Sequence, residues 1–296
     1  PRFLDEKEYV LAPTVKWGVK PGSYSFRTEL FGPMLSVVCI ENLQEGIGLV
    51  NGLDYGLTSG LQSLDESEQK LWKDSIVAGN LYINRGITGA IVNRQPFGGM
   101  KLSAFGGGVK AGGPNYCSCF VSIADKLSST TDYKISYAKA FENEFSHPRD
   151  INNLYGEQNI FRYLALKSMV LRLFPNDANE HAQMIALAAK LCGTPLTISF
   201  DLDDDRTSAL SSIGCILKKE SLEEFLSSIK KYERIRTCSP NIPLKVYEVA
   251  AQNNKYVATA TPVKEGRIEL IHYIKEQSIA FEYHRYGSIS DIPACE

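Results

Sequence analysis

The sequence predicts an α/β protein built from two successive units. Apolar, β-branched runs alternate with helical segments from Phe31 to Asn84, and the alternation returns with different residues from Met169 onward. Between Ala124 and Asn153 the composition turns polar, with "SSTTD" and "SHPRDINN", which sets the boundary there.

The elements follow in order. "MLSVVCI" (34–40) is uncharged and reads as a buried strand, and "NLQEGIGLVNGL" (42–53) as a helix ending near Gly52. "LTSGLQS" (57–63) is a second strand. "DESEQKLWKDSIVAG" (65–79) opens on an acidic first turn, runs through Leu71, Trp72 and Ile76 and stops at Gly79. "NLYINR" (80–85) and "YCSCFVSI" (116–123) read as further strands, the latter with Cys117 and Cys119 on one face. This order predicts a mostly parallel sheet covered on both faces.

In the second half "MVLRLF" (169–174) and "PLTISFD" (195–201) are strands, while "SLEEFLSSIKKY" (221–232) and "PLKVYEVAAQNN" (243–254) are helices. "DANEHAQMIALAAKLCG" (177–193) is a helix whose Asp, Glu three residues later and closing Gly read as a capping box and a stop. In the tail, Ile268, Ile271, His272 and Lys275 have helical spacing, and "SIAFEYHRY" alternates as an edge strand does. No G-x-G-x-x-G follows a strand in this half, so a dinucleotide site there lacks its usual support.

Composition narrows the function classes. The 296 residues carry a net charge of −2 with no face-length basic run, which gives nucleic acid or an anionic membrane surface little to hold. No apolar stretch reaches the length of a spanning helix, and "PRFLDEKEYV" lacks the apolar centre of a signal peptide. The chain opens without Met in mid-pattern and reads as a piece of something longer. Seven scattered cysteines with no C-x-x-C pair, and four dispersed histidines, predict reduced thiols in a cytoplasmic protein and no metal site. "DLDDD" (201–205) fits no calcium loop and reads as a solvated acidic turn.

The segment Asn93–Tyr116 holds seven glycines, two prolines and three aromatics in 24 residues. A phosphate-binding loop is a weak reading of it, because neither G-K-[ST] nor a clear helix start follows. Taken with "RTELFGPML" (27–35) and "NRGITGAIVNRQPFGG" (84–99), it resembles the C-terminal part of the catalytic domain of NAD-dependent aldehyde dehydrogenases. The nearest likeness is to the glutamate-semialdehyde dehydrogenase module of bifunctional proline utilization A flavoenzymes, tight over roughly 25 to 123 and looser to the C-terminus.

The resemblance implies the C-terminal part of such a catalytic domain over 1–124, a linker over 125–150, a smaller non-catalytic Rossmann-like α/β domain over 151–265 and a tail motif over 266–296. It implies that Glu29 holds the ribose hydroxyls of NAD and that Phe31 walls the nicotinamide. Thr88, Gly89 and Ala90 would hold the substrate's remote carboxylate, since small residues let main-chain N–H groups approach an anion. Phe97 would pack on the aliphatic middle, with Gly98 and Gly99 turning beneath it, and the tail would cover the dehydrogenase module. The expected substrate is L-glutamate γ-semialdehyde, formed from 1-pyrroline-5-carboxylate, and the product glutamate. FAD would belong to a proline dehydrogenase module outside this chain. The attacking Cys and the base Glu would lie upstream in the same polypeptide, which makes the piece alone inactive; Cys39 follows the Glu-Leu-Phe-Gly-Pro run and is not that nucleophile. A packing role is expected for His284 and Arg285. A homodimer stays open, as does an alternative function, a non-catalytic assembly or regulatory protein that kept this surface.

Overall fold

The computed structural model describes residues 2–5, 7, 9–92, 94–126, 129–201, 206–285 and 288–289, with only the main chain of 206–208, 284–285 and 288–289. Two five-stranded sheets organise it, and the α/β class read from the sequence holds. Among the described residues no helix is long and apolar enough to cross a membrane.

After a short antiparallel pair, Phe3–Asp5 with Val10–Leu11, comes a small parallel pair, β1 (Thr14–Lys16) and β2 (Met34–Ser36). The run 34–40 was expected as a buried strand, but only Met34–Ser36 is extended in a ladder, Leu35 is exposed and Cys39 lies outside the strand on the surface. Its ladder partner is β1, and Met34 is half-buried while Leu35 is exposed.

The first large sheet has the order β3 (Thr58–Leu61), β4 (Asn80–Ile83), β12 (Ile274–Glu282), β6 (Glu157–Ala165), β5 (Arg149–Asp150). Strands β3, β4 and β12 are parallel, while β6 and β5 run antiparallel to their neighbours. The tail therefore forms a nine-residue central strand, where the sequence predicted an edge. Alternation marks two unlike faces of a strand, and here both are covered.

One face of this sheet is apolar. Leu81, Ile83 and Ile279 pack with Ile47 of α1 (Leu43–Asn51) and with Trp72 and Ile76 at α2 (Glu66–Ser75). Helix α1 begins on Asn42, whose side chain accepts from Glu45 N at 2.9 Å, and α2 on Asp65, which accepts from Ser67 N and Glu68 N. These caps satisfy N–H groups that the first helical turn leaves without partners. Helix α2 ends at Ile76, three residues before the predicted stop at Gly79. The other face carries Asn80 and Tyr82 from β4, Glu276 and Ser278 from β12, and Glu157 and Asn159 from β6, with Asn80 directly opposite Ser278. That polar face supports the glycine-rich segment.

The second sheet is wholly parallel, ordered β9 (Ile216–Lys219), β8 (Leu196–Phe200), β7 (Met169–Arg172), β10 (Arg234–Arg236), β11 (Tyr256–Ala258). Reading outward from β7 in both directions gives the doubly wound order of a Rossmann-like sheet. Met169, Leu171 and Ile198 face α4 (Asn179–Leu191) and α3 (Tyr133–Ala140), while Val170 and Ile235 face α5 (Leu222–Ser228) and α6 (Leu244–Gln252).

Two local expectations change. Asp177 does not cap α4: the N-cap is Ala178, and the Asp177 carboxylate accepts from Phe174 N at 2.8 Å, closing the turn after β7 instead. Tyr116–Phe120 is a 3-10 turn rather than a strand, so the shared strand face of Cys117 and Cys119 is not formed. Both edges of β4 are filled, by β3 and β12, and leave this run no ladder to join there. Residues 202–205 of the acidic turn and the side chains of His284 and Arg285 lie outside the described residues.

Candidate active site

The loop from Gly86 to Gly113 lies along the polar face of the first sheet and is held by its side chains. Tyr82, fully buried, donates its hydroxyl to Gly89 O at 2.9 Å. Arg94 pairs with Glu157 at 2.9 Å, Gln95 donates to Asn159 at 3.3 Å, and Ser278 donates to Pro96 O at 2.5 Å. Asn80 Nδ2 donates to Gly98 O at 3.1 Å. Phe97, half-buried, exchanges both main-chain hydrogen bonds with Ala111 at 3.0 Å.

This geometry explains the glycines. A Cβ on Gly79 would meet Gly98 O, and one on Gly99 would meet Ser103 O, main-chain atoms with no room to retreat. A Cβ on Gly98 would sit 3.2 Å from Cα of Lys110, and one on Gly113 would sit 3.0 Å from Lys110 O. Farther along, Gly107 lies against the Tyr256 ring, and its carbonyl accepts from Arg234 Nη2 at 2.8 Å. The backbone thus approaches a polar sheet face on one side and the second sheet on the other.

Lys110 sits at the centre, with no exposed surface. Its ammonium donates to Asn80 Oδ1 at 3.1 Å and to Gly98 O, and its main-chain N–H donates to Glu276 Oε2 at 2.7 Å. Glu276 also accepts from Asn115 at 2.6 Å; Asn115 in turn accepts from Arg267, which pairs with Glu144 at 2.7 Å. Burial lowers the Lys110 pKa to about 7 even though Glu276 opposes the shift, and burial raises that of Glu276.

Glu276 is the charged group that acts on Lys110; Arg267, Glu144 and Tyr163 are joined to it through Asn115, whose amide also donates to the Tyr163 hydroxyl at 3.1 Å. Between about 7 and the unfolded value of 10.5 the unfolded chain holds a proton that the folded chain has shed. Stability should therefore rise through that window and be lowest, for this group, below it. Measured against Lys110→Met, the wild-type unfolding midpoint should improve as the pH is raised from about 7 to about 10. An identical gap at both ends of the range would show that the lysine keeps its charge.

The sequence-predicted residues fall into two groups. Thr88, Gly89, Ala90 and Phe97 share the loop over the polar face; Glu29 and Phe31 lie in the irregular segment just before β2. Gly89 is left-handed at φ +72°, Thr88 and Gly89 are exposed and Ala90 is half-buried. Among the described residues, neither Gly89 N–H nor Ala90 N–H donates to a protein acceptor. Phe31 is 94% exposed with φ 48°, an unfavourable backbone for a side chain of this size. Glu29 is exposed, and no described group occupies its carboxylate.

Sequence reasoning missed Lys110, Asn115 and Glu276. The only signal was a cation and an amide inside a glycine-rich run. Among the described residues no cluster of His, Cys, Asp and Glu could hold a metal. Cys192 is buried, and burial, with Glu269 adding to it, pushes its thiol up and away from nucleophilic use. In the second sheet, the turn "FPNDAN" after β7 replaces a glycine-rich phosphate turn, and the Asp177 carboxylate lines the cleft there, unfavourable to an anion.

Residues 2–124 match the sequence model of the aldehyde dehydrogenase family. A 1-pyrroline-5-carboxylate dehydrogenase of Geobacillus sp. (strain WCH70) is 38% identical over 112 residues, 38% of this chain and 21% of the relative. That of Bacillus subtilis (strain 168) is 37% identical over the same length. The chain spans about a fifth of these curated relatives. Among solved structures, proline utilization A from Corynebacterium freiburgense is 35% identical, with a TM-score of 0.74 over 92% of this chain and 27% of that one. The likeness to it runs through both sheets.

Proposed function

We propose, from the premise that residues 2–124 are aldehyde dehydrogenase sequence in a chain built like the C-terminal part of proline utilization A, that this chain belongs to an NAD-dependent dehydrogenase of L-glutamate γ-semialdehyde. The observation that carries the reading is the pair of N–H groups at Gly89 and Ala90, which among the described residues meet no acceptor, next to Thr88 on a loop tied down by Tyr82. Such donors suit a carboxylate, and the semialdehyde carries one at the end remote from its aldehyde. Phe97 supplies an apolar wall for the methylenes between, a division typical of small-molecule sites.

Glu29 would accept hydrogen bonds from the ribose hydroxyls and Phe31 would lie against the nicotinamide ring. NAD supplies the hydride acceptor for the oxidation. This chain's part is binding and orientation: it holds the substrate by its far end and the dinucleotide by its ribose, so that the aldehyde meets the reacting groups at a set distance. The resemblance assigns the nucleophilic Cys and the base to an upstream part of the polypeptide, and any FAD to a separate proline dehydrogenase module.

The test is kinetic, on the full-length polypeptide. Glu29→Ala removes a charged acceptor worth about 1.5–3 kcal/mol and should raise KM for NAD about 10- to 100-fold, with KM for the semialdehyde nearly unchanged. The wild type should also prefer the carboxylated aldehyde over an uncharged one of equal length by more than about 10-fold, as expected for a charge-assisted anchor. Equal turnover of the two aldehydes would remove the anchor loop from the mechanism.

A further inference from the structure

We infer that Glu276 and Ser278, on the tail strand β12, are positioning residues for the aldehyde site: they set the main chain on either side of Phe97. The inference rests on the function proposed above for that loop.

Each polar main-chain group flanking the Phe97 ring has a dedicated partner. Pro96 O accepts from Ser278 Oγ at 2.5 Å. Phe97 N and O are both bonded to Ala111. Gly98 O accepts from Asn80 and from Lys110 Nζ. Lys110 and Ala111 are adjacent, so whatever fixes the Lys110 main chain also fixes the strand-like bridge to Phe97. That fixing group is Glu276, whose Oε2 accepts from Lys110 N at 2.7 Å across 166 positions of sequence.

Glu276 and Ser278 are two apart on a strand and share its polar face. One reaches Ala111 through Lys110 and the other reaches Pro96, so the two bracket Phe97. The intervening Gln277 points the other way and donates to Ala78 O at 2.9 Å. Ile279, also on that opposite face, belongs to the apolar core with Trp72. On the two faces of β12, supporting the fold and setting the loop are thus separate tasks, performed by alternate residues.

Buried charge makes the arrangement costly to disturb. Glu276 is 5% exposed, and its second oxygen is taken by Asn115 at 2.6 Å. A carboxylate so enclosed keeps its orientation, and Lys110, with no exposed surface, is shut off from bulk solvent. The tail thereby acts on the aldehyde pocket without touching substrate.

The experiment uses the full-length polypeptide with Glu276→Ala, Glu276→Gln, Ser278→Ala and, as the control on the opposite face, Ile279→Val. Glu276→Ala should raise KM for the semialdehyde at least 5-fold, with kcat within about 3-fold and KM for NAD within about 2-fold, since positioning of one substrate's wall is lost. Ser278→Ala should do the same to a lesser degree. Glu276→Gln keeps one acceptor for Lys110 N and should recover most of the effect. Ile279→Val should lower the unfolding midpoint and leave both KM values alone. Amide hydrogen exchange over 95–111 should speed up in Glu276→Ala and not in Ile279→Val. An unaltered exchange rate there, or equal kinetic effects from both faces, overturns the inference. A wild-type polypeptide without semialdehyde turnover would instead overturn the function proposed above, with exchange still reporting whether β12 holds the loop.

Discussion

Arg236→Ala should cost about 3–5 kcal/mol of folding stability, the loss expected when one member of a buried ion pair is removed. Arg236 lies on β10 with no exposed surface. Its Nη1 donates to Thr237 O at 2.7 Å, Ala258 O at 3.1 Å and Ala260 O at 2.5 Å, at the ends of two adjacent strands. Its Nη2 meets Glu269 Oε1 at 3.0 Å, at the end of α7 (Gly266–Glu269), just ahead of β12. Burial opposes the charge, but Tyr273 and Glu269 outweigh it and hold the guanidinium pKa above its ordinary value.

Removing the guanidinium strands the partner. Glu269 would keep only the Tyr273 hydroxyl at 2.6 Å and Val263 N at 3.0 Å, with no exposed surface through which water could compensate. Arg236→Lys should recover only part of the loss, because an ammonium cannot span three carbonyls and a carboxylate with a planar fork. Urea unfolding of wild type and the two variants measures this. A loss under about 1 kcal/mol would put the pair in the class of exposed surface bridges, worth little to the fold.

The sequence signalled those parts whose causes are local. Asn42 and Asp65 cap the helices that follow because cap chemistry acts over three residues. The α/β grammar survives because strand and helix periods are written in neighbouring residues. Failure came where the partner is remote. The tail's alternation was visible, but whether both edges of that strand would be paired depended on β4 and β6, up to about two hundred residues earlier. Asp177 had the right spacing for a cap and was taken instead by the turn it sits in.

The same division holds at the candidate site. "RTELFGPML" and "GITGAIV" could be singled out as strings, because they resemble motifs of the aldehyde dehydrogenase family that are written in consecutive residues. Lys110 and Arg236 could not. A buried cation looks like any surface cation until the acceptors that enclose it are known, and here those are Asn80 and Gly98 around Lys110 and Ala258, Ala260 and Glu269 around Arg236, 12 to 33 positions away. Glycines gave the location of a close approach without the identity of what is approached.

Gly79→Ala tests that close approach directly and should destabilise the protein by about 1–3 kcal/mol or more. Gly79 bridges α2 and β4, its N–H bonded to Gly56 O at 2.9 Å and its carbonyl accepting from Ser278 N at 3.0 Å. A methyl there would meet Gly98 O and come within 2.8 Å of the Gly99 Cα. Gly98 cannot yield cheaply, because its carbonyl is held by Asn80 and by the buried Lys110. The contrasting substitution is Gly48→Ala, within α1, where an added Cβ meets nothing within 4 Å. There the helix gains the difference between Gly and Ala, about 0.5–1 kcal/mol. The two variants add the same single carbon and should move the unfolding midpoint in opposite directions. If both stabilise, the loop moves away from β4 freely, and the polar sheet face does not hold Phe97 in place. If Gly79→Ala alone destabilises and also raises KM for the semialdehyde, then the packing of glycine on glycine beneath the loop is part of how the pocket is built.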